Sequence, residues 1–259
     1  VHTHVTMIDM VKDLGGNKRT IKFTIEYDGS DFSGWQIQPN RRTVQGEIKH
    51  ALKCLIDEDV VVTGAGRTDA GVHALGQVAS IRTDQRLPLS AFKNGLNAYL
   101  PEDVRIVDVE EAPQSFDARR DAQRRVYRYV LCRQARVLGR QYAWHPNFSF
   151  SLEPMKQASE CLVGRHDFTS FCKKNGDIHD YHSHVMRVDW DVIGDEIHFS
   201  ITATHFFHNM VRIIVGSLLD VGRGKITPDV FYQILEEKDR RRAGPTAPPY
   251  GLVLVRVEY

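Results

Sequence analysis

Ile21, Phe23, Ile25 and Tyr27 alternate with Lys22, Thr24 and Glu26, the period-two pattern of a strand with one buried face. Asp28-Gly29-Ser30 breaks the pattern and leads into a glycine-bearing loop through Gly34-Trp35-Gln36. The spacing then turns helical: Val44, Ile48, Ala51, Leu52 and Leu55 form one apolar face, with Thr43 placed as its cap. Val60-Val61-Val62 predicts a buried strand, which Gly64 and Gly66 end in a loop carrying Arg67, Thr68 and Asp69 before Gly71. A further strand is expected near Gln77 to Arg82. Ser90 is expected to cap a helix with Phe92, Leu96, Tyr99 and Leu100 on one side, stopped by Pro101, and Val104 to Val109 reads as a strand.

From Arg124 to Leu131 the chain alternates again, with Arg125, Tyr127, Tyr129 and Leu131 on one face and Val126, Arg128 and Val130 on the other. Leu138 to Phe150 is irregular. Ser151 opens a helix through Met155, Ala158 and Leu162 that ends at Gly164, and a polar loop through Asn175, Gly176 and Asp177 follows. Val188, Trp190 and Val192 turn at Gly194-Asp195 and return as Ile197, Phe199, Ile201 and Ala203, an antiparallel hairpin. Met210 to Leu219 is an apolar helix closed by Gly222 and Gly224, and Thr227-Pro228 opens another. Lys238 to Gly251 is a charged, proline-rich loop, and Leu252 to Tyr259 a final strand. Strands outnumber helices and include a hairpin, so the class is α+β with a mixed, mainly antiparallel sheet. The expected layout is a flexible lead-in over 1–20 and two similar α/β halves, 21–115 and 116–259, with a cleft between them.

Composition changes this picture in one place. Charged residues make up 26% and hydrophobic residues 42% of 259 residues, ordinary values for a globular chain, and the net charge is only +1. Yet eight arginines lie between Phe116 and Arg140, against Asp117 and Asp121 alone. That excess reads either as a phosphate-binding surface or as a solvated strand face. Tyr127, Tyr129 and Arg125 on one face would suit stacking on bases and pairing with phosphate, or equally a packed sheet. The four cysteines lie far apart with no C-x-x-C pair, which suits a reducing compartment, and no apolar run is long enough to span a bilayer.

The loop from Gly64 to Ala74 offers the sharpest chemistry. If extended, it places Arg67 and Asp69 on one side, either a surface turn with a weak ion pair or a carboxylate aimed as nucleophile or base. Gly64-Ala65-Gly66 imitates a dinucleotide fingerprint, but its third glycine position is Asp69, which would oppose a pyrophosphate. His179, His182 and His184 cluster, and His205 and His208 sit three apart, but none has a matching ligand at familiar spacing, so no metal is expected. No G-x-S-x-G elbow supports a hydrolase. Arg212, flanked by Val211, Ile213 and Ile214, either meets a carboxylate such as Asp69 or snorkels to the surface.

Taken in order, these motifs resemble the TruA family of tRNA pseudouridine synthases from about Ile21 to Tyr259. They are Tyr-Asp-Gly at 27–29, Gly-Trp-Gln at 34–36, Thr-Val-Gln-Gly at 43–46 and Gly-Arg-Thr-Asp-Ala-Gly-Val-His-Ala at 66–74. Leu-Asn at 96–97 with Leu-Pro at 100–101, Phe-Asp-Ala-Arg at 116–119 and Arg-Val-Tyr-Arg-Tyr at 125–129 follow, then Asp-Phe-Thr-Ser-Phe at 167–171. Asn-Met-Val-Arg at 209–212, Val-Gly-Arg-Gly-Lys at 221–225 and Gly-Pro-Thr-Ala-Pro at 244–248 complete the set. His205-Phe206-Phe207-His208 departs slightly from the family's usual wording. The resemblance implies the pseudouridine synthase fold and an isomerase with no cofactor and no metal, acting at uridines 38, 39 and 40 of the tRNA anticodon stem-loop. It implies a cytoplasmic homodimer that holds tRNA. By motif it makes Asp69 the catalytic aspartate, Arg67 the base-flipping arginine, Tyr127 the tyrosine against the uracil and Arg212 the partner of the aspartate. Phe116, Asp117, Ala118, Arg119 and Arg120 correspond to an RNA-contacting stretch, and Asp167 to Phe171 lies near another. A tRNA-binding protein without activity would share the arginines but give no reason for the Arg-x-Asp loop.

Overall fold

The computed structural model describes residues 18–173, 176 and 179–259. The expected lead-in therefore lies outside the described residues up to Asn17, and Arg19 and Thr20 already pair within the first strand. Asn175 and Asp177 of the expected polar loop also lie outside them.

Alternating burial produces β1 (Arg19–Tyr27), with Ile21, Phe23 and Ile25 fully buried against α1 (Val44–Ile56) and α2 (Leu89–Tyr99). Between them lie β2 (Thr63–Gly64) and β3 (His73–Thr83), and β4 (Val104–Ala112) follows α2. The second part of the chain contributes β5 (Arg124–Cys132), α3 (Leu152–Ser159), β6 (Gly164–Asp167), β7 (His182–Ile193) and β8 (Glu196–Ala203). It closes with α4 (Met210–Gly222), α5 (Pro228–Glu237) and β9 (Leu252–Glu258).

Two expected boundaries are corrected. The Val60–Val62 segment is not a strand: Val60 and Val62 are buried, Val61 is exposed, and pairing begins only at Thr63 opposite Ser80. The second helix starts at Leu89 behind Pro88 rather than behind a Ser90 cap, and Tyr99 is exposed. Thr227 does cap α5, its hydroxyl accepting from the Val230 amide at 3.3 Å.

The strands form one sheet in the order β4-β1-β3-β9-β5-β8-β7-β6, with β2 added on β3. Among the described residues every pairing is antiparallel except β3 with β9, which meet through two residue pairs, His73↔Val253 and Ala74↔Leu254. This narrow joint links the ladder built by residues 19–112 to the one built by residues 124–203. On β9 an extra residue, Val255, falls opposite the step from Val126 to Tyr127, a bulge that bends the sheet next to the joint. The helix side of that joint holds the cleft described next.

Candidate active site

Asp69 sits on a turn whose neighbours are pinned while its own side chain stays open. The Tyr27 hydroxyl and Thr68 Oγ1 lie 2.8 Å apart in the core, and the Trp35 amide donates to the Thr68 carbonyl at 3.1 Å. The Val72 amide closes the turn onto the Asp69 carbonyl at 3.2 Å, and Val72 itself is buried. The loop can lie this close to residues 28–36 because glycines face it. A Cβ on Gly29 would stand 2.1 Å from the Val72 carbonyl oxygen. Gly34 holds φ +94° with the Thr68 carbonyl oxygen 2.7 Å from where its Cβ would be. The Tyr-Asp-Gly and Gly-Trp-Gln motifs thus shape the seat of Asp69.

Arg212 comes from the first turn of α4. Its Nε donates to the Ala247 carbonyl at 2.7 Å and its Nη1 to Asn209 Oδ1 at 2.8 Å, while the Ala247 amide returns a bond to the Arg212 carbonyl at 3.0 Å. The Gly-Pro-Thr-Ala-Pro segment is therefore the brace of Arg212. Nη1 so held stands 3.5 Å from Asp69 Oδ2. His208 Nε2 stands 3.7 Å from the other oxygen, Oδ1. The carboxylate is bracketed by two basic groups near the positive end of a helix, yet tied tightly to neither.

A cleft of about 520 Å³ opens around this group, lined by Ser33, Trp35, Arg67, Asp69, Tyr127 and Phe206 among others. Tyr127 is nearly buried, with Phe206 edge-on to it at 5.0 Å. Burial, with Tyr27 and Asp69 nearby, pushes the Tyr127 hydroxyl far above the usual phenol range. Among the described residues that hydroxyl makes no hydrogen bond, and Arg67, exposed at the rim, makes no ion pair. The Arg67–Asp69 pair suggested by their spacing is not formed; Arg212 and His208 take its place.

The arginine-rich segment divides. Arg125 spends its guanidinium on the carbonyls of Ala122, Thr204, Ala65 and Arg119, at 3.0, 2.6, 2.8 and 3.2 Å, which fastens residues 119–122 to the base of the Asp69 loop. Tyr129 is fully buried with its hydroxyl donating to the Pro248 carbonyl at 2.8 Å. Of the three side chains expected on one face, Tyr127 alone reaches the cleft. Phe116, Asp117 and Arg120 line a different groove, with Ala118 buried beneath against Ala65 and Val78. Asp117 Oδ1 accepts the amides of Arg119 and Arg120, both at 2.9 Å, leaving those two side chains exposed. Phe168, Thr169, Ser170 and Phe171 are buried, so that segment is core rather than surface.

A model of the tRNA pseudouridine synthase family matches residues 24–121 and 158–259. The chain belongs to that family. Curated relatives named tRNA pseudouridine synthase A include one from Caldicellulosiruptor bescii, 42% identical over 93% of this chain and 100% of its own. One from Geotalea uraniireducens is 44% identical over the same shares, and one from Bacillus subtilis 42% identical over 92% and 98%. Within the synthase, the sequence reading missed His208 and Phe206 as cleft residues. No helical spacing marks His208, which lies before α4 and is separated from it by Asn209 in a left-handed conformation at φ 63°.

Proposed function

We propose that the synthase isomerises uridine to pseudouridine at positions 38, 39 and 40 of the tRNA anticodon stem-loop, with Asp69 as the essential nucleophile or base. One observation carries this reading. Asp69, from the first part of the chain, shares one open cleft with Tyr127, from the second, and its loosely held carboxylate has Arg212, also from the second, 3.5 Å behind it.

In the reaction the bond from N1 to C1′ breaks, the uracil turns, and C5 bonds to C1′. Nothing leaves and no electrons are transferred, so the step calls for neither a redox group nor a metal. Asp69 acts at the sugar C1′, at the uracil C6 or as a base on the sugar, with the positive charge of Arg212 complementing it. Tyr127 carries the uracil ring against Phe206. A uridine in a stem must first be extruded, at a cost of a few kcal/mol, and unpaired Arg67 at the rim takes the vacated space. Exposed Arg119 and Arg120 grip phosphate on a segment that Phe116, Asp117 and Ala118 shape. The synthase works in the cytoplasm as a homodimer; among its described residues no helix is long and apolar enough to cross a membrane.

Tritium release from C5-tritiated uridine in unmodified tRNA, with the modified positions mapped, tests this. Release with pseudouridine confined to positions 38–40 is expected. Modification elsewhere in tRNA overturns the site assignment, and an equilibrium mass of one chain overturns the dimer.

A further inference from the structure

The rearrangement needs a proton acceptor on the ring side as well as a group on the sugar side. Among the ionisable side chains that line the cleft, Arg67 is a permanent cation, and burial holds Tyr127 as a neutral phenol. Arg212, just behind Asp69, is likewise a permanent cation. His208 remains. Its Nε2 lies 3.7 Å from Asp69 Oδ1, on the carboxylate oxygen that does not face Arg212, and its side chain is half exposed to the cleft. Its backbone is fixed by the Lys173 amide, which donates to the His208 carbonyl at 3.0 Å, and by α4 starting two residues later. Among the described residues the imidazole makes no hydrogen bond, unlike His73, His182 and His198, each of which has a partner within 3.0 Å. An imidazole held in a cleft with an uncommitted nitrogen is suited to proton transfer.

We propose that His208 accepts the proton released from C5 of the uridine, an assignment that rests on Asp69 serving the sugar. Two groups this close can reach adjacent atoms of one nucleoside, Asp69 at C1′ and His208 at C5. Once C5 has bonded to C1′, it still carries its hydrogen, and C6 is double-bonded to N1. Nε2 of neutral His208 takes that hydrogen as a proton. The C5–H electron pair becomes the C5=C6 bond, and the C6=N1 pair moves onto N1, which takes up a proton. The imidazolium returns its proton to N1 or to water, so the product is an isomer of the substrate and the enzyme is unchanged.

The test is single-turnover pseudouridine formation on tRNA carrying uridine or 5-deuterouridine, with the native enzyme, His208→Ala and His208→Gln, the last keeping most of the side-chain volume in case the alanine variant fails to fold. Asp69→Asn and native enzyme are the controls, and tRNA affinity and melting temperature are measured in parallel. Native-like tRNA binding with a rate lowered on the order of 10²-fold is expected in the His208 variants. A deuterium effect at C5 larger than that of the native enzyme should appear with it, because proton removal has become limiting, and added imidazole should restore part of the His208→Ala rate. Variants as fast as the native enzyme, or slow with no gain in the C5 isotope effect, overturn the proposal. An active Asp69→Asn overturns the sugar-side assignment and this proposal with it.

Discussion

Asp69 in the loop and His73 at the start of β3 lie four residues apart, yet they end in opposite kinds of surroundings. His73 is buried and saturated: its Nδ1 accepts the Gly29 amide at 3.0 Å, which leaves Nε2 to carry the proton toward the carbonyls of Gln141 and Tyr250, at 2.9 and 3.2 Å. Beside it, Asp28 accepts from the Ser30 hydroxyl at 2.6 Å and from the Tyr142 hydroxyl at 2.7 Å. These bonds clamp the loop before β9 and the 141–142 loop onto the first part of the chain, at a groove lined by Arg128 and Val130, residues of the β5 face opposite Tyr127. Around Asp69 the contacts are 3.5 and 3.7 Å, and among the described residues the Tyr127 hydroxyl makes no hydrogen bond and Arg67 no ion pair. The satisfied polar groups around His73 hold the fold, and those around Asp69 are open to a ligand. The motif 66–74 therefore performs two tasks, and its histidine is structural.

The strongest way to break this contrast is Asp69→Asn. Pseudouridine formation should fall on the order of 10³–10⁴-fold while tRNA still binds and stability changes by no more than about 0.5 kcal/mol. Turnover near the native rate would remove Asp69 from the chemistry. His73→Ala should do the reverse. It strands the Gly29 amide and removes a buried donor, costing about 2–3 kcal/mol in denaturant unfolding, with most of the turnover retained per folded molecule. A stable but inactive His73→Ala would place His73 with Asp69 and dissolve the distinction.

Tyr142→Phe is a milder probe of the clamp, worth about 1 kcal/mol at neutral pH. Burial alone would raise the pKa of Asp28, but the bonds from Ser30 and Tyr142 outweigh it and hold the carboxyl below its ordinary 3.8. A depressed carboxylate contributes stability that is complete above its unfolded value and is lost as pH falls through the folded one. The gap between native enzyme and Tyr142→Phe should therefore narrow below about pH 4, a shift readable in melting curves taken across that range. The smallest effect is expected from Arg120→Gln, which should lower the slope of log tRNA affinity against log salt by about one ion and leave melting unchanged. An unchanged slope would take Arg120 out of phosphate binding.

Much of the fold was legible because the chain states it locally. The alternation in β1 and the β7–β8 hairpin and the helical spacing of α1 follow from side-chain periodicity, while α4 shows in its apolar run and α5 in the Thr227-Pro228 start. Val60–Val62 reads as a strand and is not one, because β-branched content says nothing about whether a neighbouring strand edge is in reach; there Val60 and Val62 are buried without a ladder. The same limit hid the burial of Phe168 and Phe171 and the structural use of Arg125, both set by elements distant in sequence. Residue types raise Asp69 as a nucleophile or base and offer both Arg67 and Arg212 as its partner, and only the resemblance assigns separate roles to Arg67, Tyr127 and Arg212. His208 reaches Asp69 through the left-handed turn at Asn209, which residue types do not reveal.

The place of β9 carries a consequence for folding. It follows every other element along the chain but lies in the middle of the sheet, and Leu252 forms part of the cleft wall. Until residue 252 and those after it are in place, β3 and β5 lack their common neighbour in the sheet, and the bond from Arg125 to the Ala65 carbonyl spans the joint without a ladder. Assembly of the cleft therefore waits on the strand that joins the two ladders, and the order of the elements along the chain makes that closure a late step of folding.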